Sequence, residues 1–409
     1  MTTKKIINSY NTLLKNNNNF NTIYNNDSLY INSQINKDKP NSLTLNNNKK
    51  TKKISNVKDT LSGSEVFIVK GKTGKFQNKN FIIKKTFINN DDLVKIKSKN
   101  ECILYKYIRN LVKYNICPFI YYGFQCKTKQ IKTIKKKNKK KIKIYAQFLI
   151  LNTNQQNTTL KTLNDMIDKE NLLDKLQEFY IILFQIMYTL KCFDLIGIKH
   201  NDLHFGNIFL EILNEKNSIC QLLKEYKEQT TNYSINDKTY DIPNIDYTVK
   251  IYDFDLASKN KRDENNSKNG KEFKESFKDN KVSEFTPIDF KVEYNTTFLN
   301  NEDSVNFDVL KVLFELHNRA LERNNPTIIA FIESFFKTPN PFATKNQPLT
   351  KDIKLDASKH NVDSYGNFKD SNFGTIKSID DILDLIYKKI GKPHPTFNGK
   401  TYTTTNLYK

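Results

Sequence analysis

One segment constrains the fold more than any other. The stretch DKLQEFYIILFQIMYTLKCFDLIG, residues 174–197, would be apolar around most of its circumference as a helix, with a repeat that begins at Ile182, Gln185 and Ile186. A helix without a polar face is stable in water only when other elements cover it. Gly197 is the residue type that commonly follows a last helical turn. The segment therefore predicts a buried helix that ends there.

The segments before this helix are shorter and of a different composition. EVFIVKG (residues 65–71) and NFIIKKTF (residues 80–87) are rich in β-branched and aromatic residues, which predicts an antiparallel hairpin. FIYYGFQCK and KIYAQFLIL predict two further strands. Between the two pairs, KSKNECILYKYIRNLVKY has helical spacing. Its apolar residues near one face are Ile103, Tyr107, Ile108 and Leu111.

The segments after the buried helix are mostly helical in pattern. TVKIYDFDLAS (residues 248–258) predicts a strand and a turn, whereas SVNFDVLKVLFELHNRALE and PTIIAFIESFFK predict helices. SIDDILDLIYKKIG carries signals at both ends of a helix: Ser378 as the N-cap, Asp381 as the capping-box acid and Gly391 as the stop.

This order of elements predicts the fold class. Strands with one helix, followed by mostly helices, indicate an α+β protein with a small β-rich lobe over residues 56–153 and a larger helical lobe over residues 154–409. Polar stretches near residues 214–247 and 259–300 indicate insertions in the second lobe. Residues 1–55 are rich in Asn and Lys, which predicts a disordered tail.

The bulk composition bounds the class of protein. The formal charge is +22, but the Lys residues are spread along the chain and interleaved with Asn, which favours a codon-composition effect over a dedicated polyanion site. The five cysteines form no CxxC pair, so a zinc site and a disulfide scaffold have no support. No run of 18 apolar residues predicts a membrane span, and the first residues lack the apolar centre of a signal peptide. We expect an intracellular protein, cytoplasmic or nuclear.

One stretch is unusually dense in lysine. Residues 127–143, which begin with Lys127 and end with Lys143, lie between two predicted strands. Their charge predicts a solvated hairpin loop. A weak contact with an acidic partner or with nucleic acid is the alternative interpretation.

The most informative polar stretch follows the buried helix directly. GIKHNDLHFGNIFL, residues 197–210, holds Asn201, Asp202, His204 and Asn207 within a few residues, between apolar segments. An acid and an amide at this spacing suit phosphoryl transfer, which depends on positioning and charge neutralisation. Asp202 is the candidate base for an attacking hydroxyl. Asn207, together with the carboxylate of Asp253 in KIYDFDLAS, is the candidate metal-binding pair.

These motifs resemble those of the eukaryotic-type protein kinase superfamily. His200, Asp202, Leu203 and Asn207 match four defining positions of the kinase loop H-R-D-L-x-x-x-N, and Asp253–Phe254 matches the start of DFG. The resemblance covers roughly residues 61–316. It implies a bilobal protein-kinase-like fold, ATP and Mg²⁺ as cofactors, and phosphate transfer to a protein hydroxyl, most readily that of serine or threonine.

The resemblance also implies nucleotide-binding residues in the first lobe. FIIKK looks like the third-strand A-I-K motif, so Lys84 should reach the α- and β-phosphates and Glu101 on the following helix should pair with it. The hinge would lie near residues 149–153. The residues implied to bind nucleotide are Gly63, Ser64, Val66, Lys84, Leu149 and Leu151.

Several positions depart from the kinase pattern. The glycine-rich loop keeps Gly63 but not three glycines, Asn201 replaces the usual arginine, and His204 replaces the usual lysine, so His204 enters the list of candidate catalytic residues. Asp255 stands where DFG has glycine, and no clear A-P-E follows. These departures resemble divergent kinases of the haspin type, in which the helix that holds Asp308 would support the catalytic loop, and kinase-like proteins of large DNA viruses.

Two alternatives remain at this stage. Small-molecule kinases of the aminoglycoside and choline type use H-x-D-x-H-x-x-N and often an acid after DF, as His204 and Asp255 do here. The degenerate glycine loop also fits a pseudokinase that acts as a scaffold. FIIKK, Glu101 and the Asp308 helix favour the protein kinase.

Overall fold

The computed structural model describes part of the chain, in two compact units. The first unit is Met1–Phe87 with Gln125–Asn157, and the second is Ile88–Phe124 with Thr158–Lys409. The ranges described within them are residues 64–70, 79–88, 92–121, 123–135, 141–156, 158–213, 229–259, 272–277, 306–337, 376–391 and 401–408. The predicted N-terminal tail, Gly63 and much of both predicted insertions lie outside these ranges.

The first unit contains a four-stranded sheet. Its strands are β1 (Ser64–Lys70), β2 (Lys79–Ile88), β3 (Gly123–Lys135) and β4 (Lys141–Gln156), in the order β1-β2-β4-β3. β1 and β2 are antiparallel, with Val66 opposite Lys84, so the predicted pairing is confirmed. The buried side chains of β2 and β4 include Phe81, Ile82, Ile83, Leu149, Ile150 and Leu151.

The Lys-dense stretch is not a long loop, and this prediction was wrong. β3 continues to Lys135 and β4 begins at Lys141, so most of residues 127–143 belong to strands. β3 lies at the edge of the sheet, where lysines are common because they discourage pairing with another chain. Lysine density therefore indicated an edge strand rather than a loop. The start of β3 at Gly123 also places FIYY before the strand.

The predicted buried helix lies in the core of the second unit. Helix α3 (Leu176–Leu195) has fourteen buried residues, from Phe179 to Phe193, and the chain leaves it at Gly197 with a φ of 70°. Helix α6 (Ile379–Ile390) packs against it, and Gln177 Nε2 donates to the carbonyl of Ile390 at 3.0 Å. Both predictions for these helices are confirmed. The buried residues of α6 recur on one face.

The cap of α6 follows from its sequence. The Ser378 hydroxyl accepts the backbone N–H of Asp381 at 3.1 Å, which satisfies one of the amides that a helix start leaves without a partner. Gly391 follows the last turn with a φ of 78°. Ser378 as the N-cap and Gly391 as the stop are thus confirmed. The Asp381 carboxylate accepts the Ser378 hydroxyl at 2.7 Å, and its capping-box bond to the Ser378 N–H stays a prediction.

The other α-helices in the described part of the second unit are α1 (Asp92–Lys113), α2 (Leu163–Glu170), α4 (Asn306–Glu322) and α5 (Pro326–Glu333). The first, third and fourth agree with the predicted helical segments. None of the helices in the described ranges combines the length and the apolar character that a bilayer crossing requires.

The described residues of the second unit also form three small sheets. β5 (Thr158–Thr162), β7 (Ile208–Leu213) and β10 (Tyr247–Ile251) form an antiparallel sheet in the order β10-β7-β5. β6 (Ile198–Lys199) pairs with β11 (Ser258–Lys259). β8 (Thr230–Ile235) pairs with β9 (Lys238–Pro243) on one side and with β12 (Thr401–Thr403) on the other. The described part of the first predicted insertion is therefore a regular hairpin.

Candidate active site

Two strand pairs bring together the polar loop and the turn that contains Asp253, Phe254 and Asp255, which we call the DFD turn. Ile208 at the start of β7 lies opposite Ile251 at the end of β10, and Lys199 in β6 lies opposite Ser258 in β11. The loop of residues 200–207 and the turn of residues 252–257 are thus enclosed by the same two ladders. The N–H of Tyr252 donates to the carbonyl of Asn207 at 3.0 Å, which joins the two segments directly.

Asp308 of α4 holds the start of the loop. Its two carboxylate oxygens accept the backbone N–H groups of His200 at 2.7 Å and Asn201 at 2.9 Å. Asp308 is 1% exposed; burial raises the pKa of its carboxyl, and the nearby His200 and the two N–H groups oppose that rise only in part. The expectation that Asp308 supports this loop is confirmed.

Asn201 connects the loop to the turn. It adopts a left-handed conformation, with a φ of 64°, which asparagine tolerates better than most residues. Its side-chain amide donates to the carbonyl of Leu256 at 2.9 Å and to the hydroxyl of Ser258 at 3.1 Å. Asn201, which replaces the arginine of the kinase pattern, is thus a structural link within this site.

His200 lies beneath the loop as a neutral, fully buried side chain. Its Nε2 is 2.8 Å from the carbonyl of Tyr252; because a carbonyl can only accept, Nε2 carries the proton. Nδ1 then accepts the N–H of Asp202 at 3.4 Å. Burial lowers the pKa of His200 below its ordinary value. The ring packs 4.9 Å from that of Phe254, which also contacts Tyr105 and Phe193.

Asp202 presents an ionised carboxylate at the surface of this arrangement. Oδ1 accepts from Lys311 Nζ at 2.7 Å, and one third of the side chain is exposed. Burial alone raises the pKa of Asp202, but the positive charge of Lys311, with a smaller effect of His204, outweighs burial and places the pKa below its ordinary value. The carboxylate can therefore accept a proton at neutral pH.

His204 is turned back onto its own loop. Its Nδ1 accepts the N–H of Gly206 at 3.0 Å, so it caps the short 3₁₀ turn Phe205–Asn207. Its Nε2 lies 3.9 Å from Asp202 Oδ2, beyond hydrogen-bonding distance. A Cβ on residue 206 would lie 2.7 Å from His204 Cε1, so glycine permits this ring position. The candidate catalytic role of His204 stays a prediction, and the local geometry gives it a capping role.

Asn207 and Asp253 occupy neighbouring places at the ends of the paired segments. The Asn207 amide donates from Nδ2 to the carbonyl of Asp202 at 2.9 Å, which leaves Oδ1 as the acceptor of that side chain. Asp253 follows Tyr252, the residue that binds the Asn207 backbone, and adopts a φ of 68°. Non-glycine residues at positive φ store strain and concentrate at functional sites.

The donor set is compatible with magnesium. Mg²⁺ is commonly held by one or two carboxylates, with phosphate oxygens and water as the remaining ligands. Asp253 and the Oδ1 of Asn207 are donors of that kind, and their role toward a metal stays a prediction. Among the residues that the structure describes, no group of three or more His, Cys, Asp and Glu side chains could hold a metal ion.

The predicted nucleotide-binding residues belong mostly to the first unit. Lys84 is 2% exposed in β2 opposite Val66, whereas the adjacent Lys85 is partly exposed. Ser64 lies in β1, and Leu149 and Leu151 are buried in β4. Glu101 belongs to the second unit, where it is 1% exposed in α1. Their roles toward a nucleotide stay predictions.

Two functional candidates had no sequence signal of their own. Lys311 contacts Asp202, and Glu315 Oε2 accepts the N–H of Phe205 at 2.9 Å. Burial raises the pKa of Glu315. The only hint was their spacing from Asp308, three and seven residues on, which places all three charges on one face of a largely apolar helix. Without the fold, that face has no known partner.

Comparisons with known proteins leave the family open. Neither protein-family models nor curated proteins gave a match for this chain. Among solved structures, the crystal structure of the pseudokinase PEAK1 (Sugen Kinase 269) is similar over 48% of this chain and 40% of that one, with 11% identity and a TM-score of 0.23. A similarity of this size establishes neither the fold nor the activity of this chain.

Proposed function

We propose that this protein is an ATP- and Mg²⁺-dependent protein kinase, specific for serine or threonine, with Asp202 as the catalytic base. The observation that carries the proposal is the Asp202 carboxylate itself. Oδ1 is held by Lys311 at 2.7 Å, the side chain is one third exposed, and the surrounding charge keeps it ionised. A general base needs a free lone pair, access to its substrate and a defined orientation.

The loop around Asp202 supports the proposal because it is held at several independent points. Asp308 binds its first two amides, Glu315 binds the N–H of Phe205, and Asn207 binds the carbonyl of Asp202 itself. Catalysis of phosphoryl transfer is mostly positioning and electrostatic stabilisation, so a loop with this many fixed backbone groups suits the reaction.

The chemical step follows from these positions. The hydroxyl of the acceptor gives its proton to Asp202 as its oxygen forms a bond to the γ-phosphorus of ATP. The bond between that phosphorus and the bridging oxygen to the β-phosphate breaks, and ADP leaves with the bond's electron pair. A magnesium ion would neutralise charge on the phosphates. Asn207 Oδ1 and the Asp253 carboxylate are the residues we assign to hold it.

A phosphotransfer assay tests this proposal. Wild type and Asp202→Asn are incubated with labelled ATP, Mg²⁺ and generic acidic and basic proteins, with choline and aminoglycosides in parallel reactions. The matched control is Asp174→Asn, the same change at an exposed residue of the same unit. We expect label on protein with wild type and with Asp174→Asn, and a loss of about 10²-fold or more with Asp202→Asn, as for removal of a general base.

The other outcomes distinguish the alternatives. Equal transfer by wild type and Asp202→Asn contradicts the assignment of Asp202. Label on choline or an aminoglycoside, with proteins inert, shows a small-molecule kinase. If nothing is labelled and ATP with Mg²⁺ does not raise the melting temperature, the scaffold interpretation holds; a site filled at 100 times its Kd would add about 2.7 kcal/mol to stability.

A further inference from the structure

Helix α4 presents three charged side chains to the candidate catalytic loop. Asp308, Lys311 and Glu315 follow one another at successive turns of the helix, so they share one face. Each contacts a different part of the loop, at distances of 2.7–2.9 Å. This face therefore contacts the loop at residues 200, 201, 202 and 205.

Lys311 differs from the other two in what it binds. Asp308 and Glu315 accept backbone N–H groups, which position the chain. Lys311 instead donates to a side chain, the Oδ1 of Asp202. The lysine is 22% exposed and the aspartate 33%, so the pair is partly shielded from water and its attraction is stronger than that of a surface pair.

The two histidines near Asp202 do not duplicate this contact. His204 turns its Nδ1 to Gly206 and keeps its Nε2 3.9 Å from Oδ2. His200 lies below and accepts the backbone N–H of Asp202, not its carboxylate. Of the described neighbours that act on the charge of Asp202, Lys311 is thus the one that makes a hydrogen bond to it.

We propose that Lys311 is a positioning residue for the reaction: by holding Oδ1 of Asp202 it leaves Oδ2 as the oxygen that takes the proton from the acceptor hydroxyl. This inference rests on the proposed function. A carboxylate with one oxygen hydrogen-bonded to a cation is restricted in its rotation and presents its other oxygen as the more accessible base, so the acceptor meets it in a reactive orientation.

The test compares Lys311→Met and Lys311→Arg with wild type. Methionine keeps much of the length of the side chain without its charge, whereas arginine restores a donor and a charge. The matched control is Lys191→Met, because Lys191 also forms a 2.7 Å ion pair, with Asp380, away from the loop. The readouts are kcat, KM for ATP and the pH dependence of kcat/KM, with labelled ATP and the protein substrate that the wild type phosphorylates best.

We expect a defined pattern from these variants. For Lys311→Met, kcat falls roughly 10- to 100-fold while KM for ATP stays within about twofold, because the base is disordered but the nucleotide site is intact. The acidic limb of the pH profile of kcat/KM moves to higher pH, because the Asp202 carboxylate loses the positive charge of Lys311 while His200 and His204 remain. Lys311→Arg recovers most of the rate and the wild-type limb, and Lys191→Met behaves like wild type.

Other results overturn the inference. A folded Lys311→Met with wild-type kcat and an unmoved acidic limb removes any positioning role. A reduced rate with an unmoved limb, not recovered by arginine, indicates a structural role only. If Lys311→Met does not fold, Lys311→Gln takes its place, because glutamine keeps a donor without the charge. The shift of the acidic limb of its kcat/KM profile is then compared with wild type. A wild type that transfers no phosphate overturns the proposed function itself, whereas an active wild type with an unaffected Lys311→Met overturns this inference alone.

Discussion

The side-chain amide of Asn207 donates to the backbone carbonyl of Asp202 at 2.9 Å, and this contact determines which of its two polar atoms faces away. Nδ2 is used within the loop, so Oδ1 is the atom available to a cation. Asn207 is 6% exposed, which makes the loss of this hydrogen bond costly. The orientation of one amide thus connects loop stability with the proposed metal site.

Replacing Asn207 by aspartate should destabilise the protein. The variant loses a donor and places a carboxylate oxygen against the carbonyl of Asp202, so we expect the free energy of unfolding in urea to fall by about 1–3 kcal/mol. The control is Asn164→Asp, where Oδ1 accepts from Arg319 at 3.3 Å and an acid preserves the contact. That variant should change stability by less than about 0.5 kcal/mol. If Asn207→Asp leaves the free energy of unfolding unchanged, the amide has the opposite orientation.

Gly206→Ala should act through His204 alone. The added Cβ would lie 2.7 Å from Cε1 and 2.9 Å from Nδ1 of the His204 ring, which must then move and lose the N–H of residue 206. We expect a loss of about 1 kcal/mol in the free energy of unfolding, typical of a capping contact. In a His204→Ala background the same change should cost much less, so the two substitutions should be coupled in a double-mutant cycle. Additive effects would show that the ring is not held by residue 206.

Acid should weaken the fold through buried histidines. Burial lowers the pKa of both His200 and His317. Below about pH 6.5 the unfolded chain therefore binds protons that the folded chain does not, and the free energy of unfolding falls as pH falls, by up to about 1.4 kcal/mol per pH unit for each histidine. Asp308 and Glu315, whose pKa values are raised, oppose this trend, because they favour protonation in the folded state.

A histidine variant separates these contributions. His317→Gln keeps a side chain able to donate to Glu333, the partner of His317 at 3.2 Å, but cannot titrate. Asp308 and Glu315 contribute equally to the wild type and to the variant. The difference between the two profiles of stability against pH therefore isolates His317. We expect the slope of urea-derived stability between pH 7 and pH 5.5 to be smaller in the variant. Parallel profiles would contradict the lowered pKa of His317.

Leu407 should stabilise a segment that follows the DFD turn in sequence. The N–H of Lys274 donates to the carbonyl of Leu407 at 2.8 Å, and the side chain of Leu407 is fully buried. Leu407→Ala should lower the free energy of unfolding by about 2–4 kcal/mol and increase hydrogen exchange at Lys274. Leu176→Ala is the control, because Leu176 is 37% exposed, and its cost should be below about 1 kcal/mol. Unchanged exchange at Lys274 would show that its amide is protected by other contacts.

Local patterns predicted the elements of this protein well. The buried helix α3, the pairing of β1 with β2 and the capped helix α6 all follow from the spacing of apolar residues and from the residues at helix ends. Such signals are local, because the spacing of apolar residues along a segment decides whether one face of a helix or strand can be buried. Residues 127–143 were predicted wrongly, because lysine density reports exposure to solvent and does not distinguish a loop from an edge strand.

The sequence by itself determined which residues could carry chemistry, since Asp202 and Asn207 stand five residues apart in a polar loop between apolar segments. It also pointed to Asp308 through the resemblance of its helix. Only the tertiary structure decided that Lys311 binds Asp202. The reason is that a hydrogen bond between residues more than a hundred positions apart leaves no local pattern. It exists only once packing has brought α4 against the loop. Burial then makes the loss of such a contact costly in free energy.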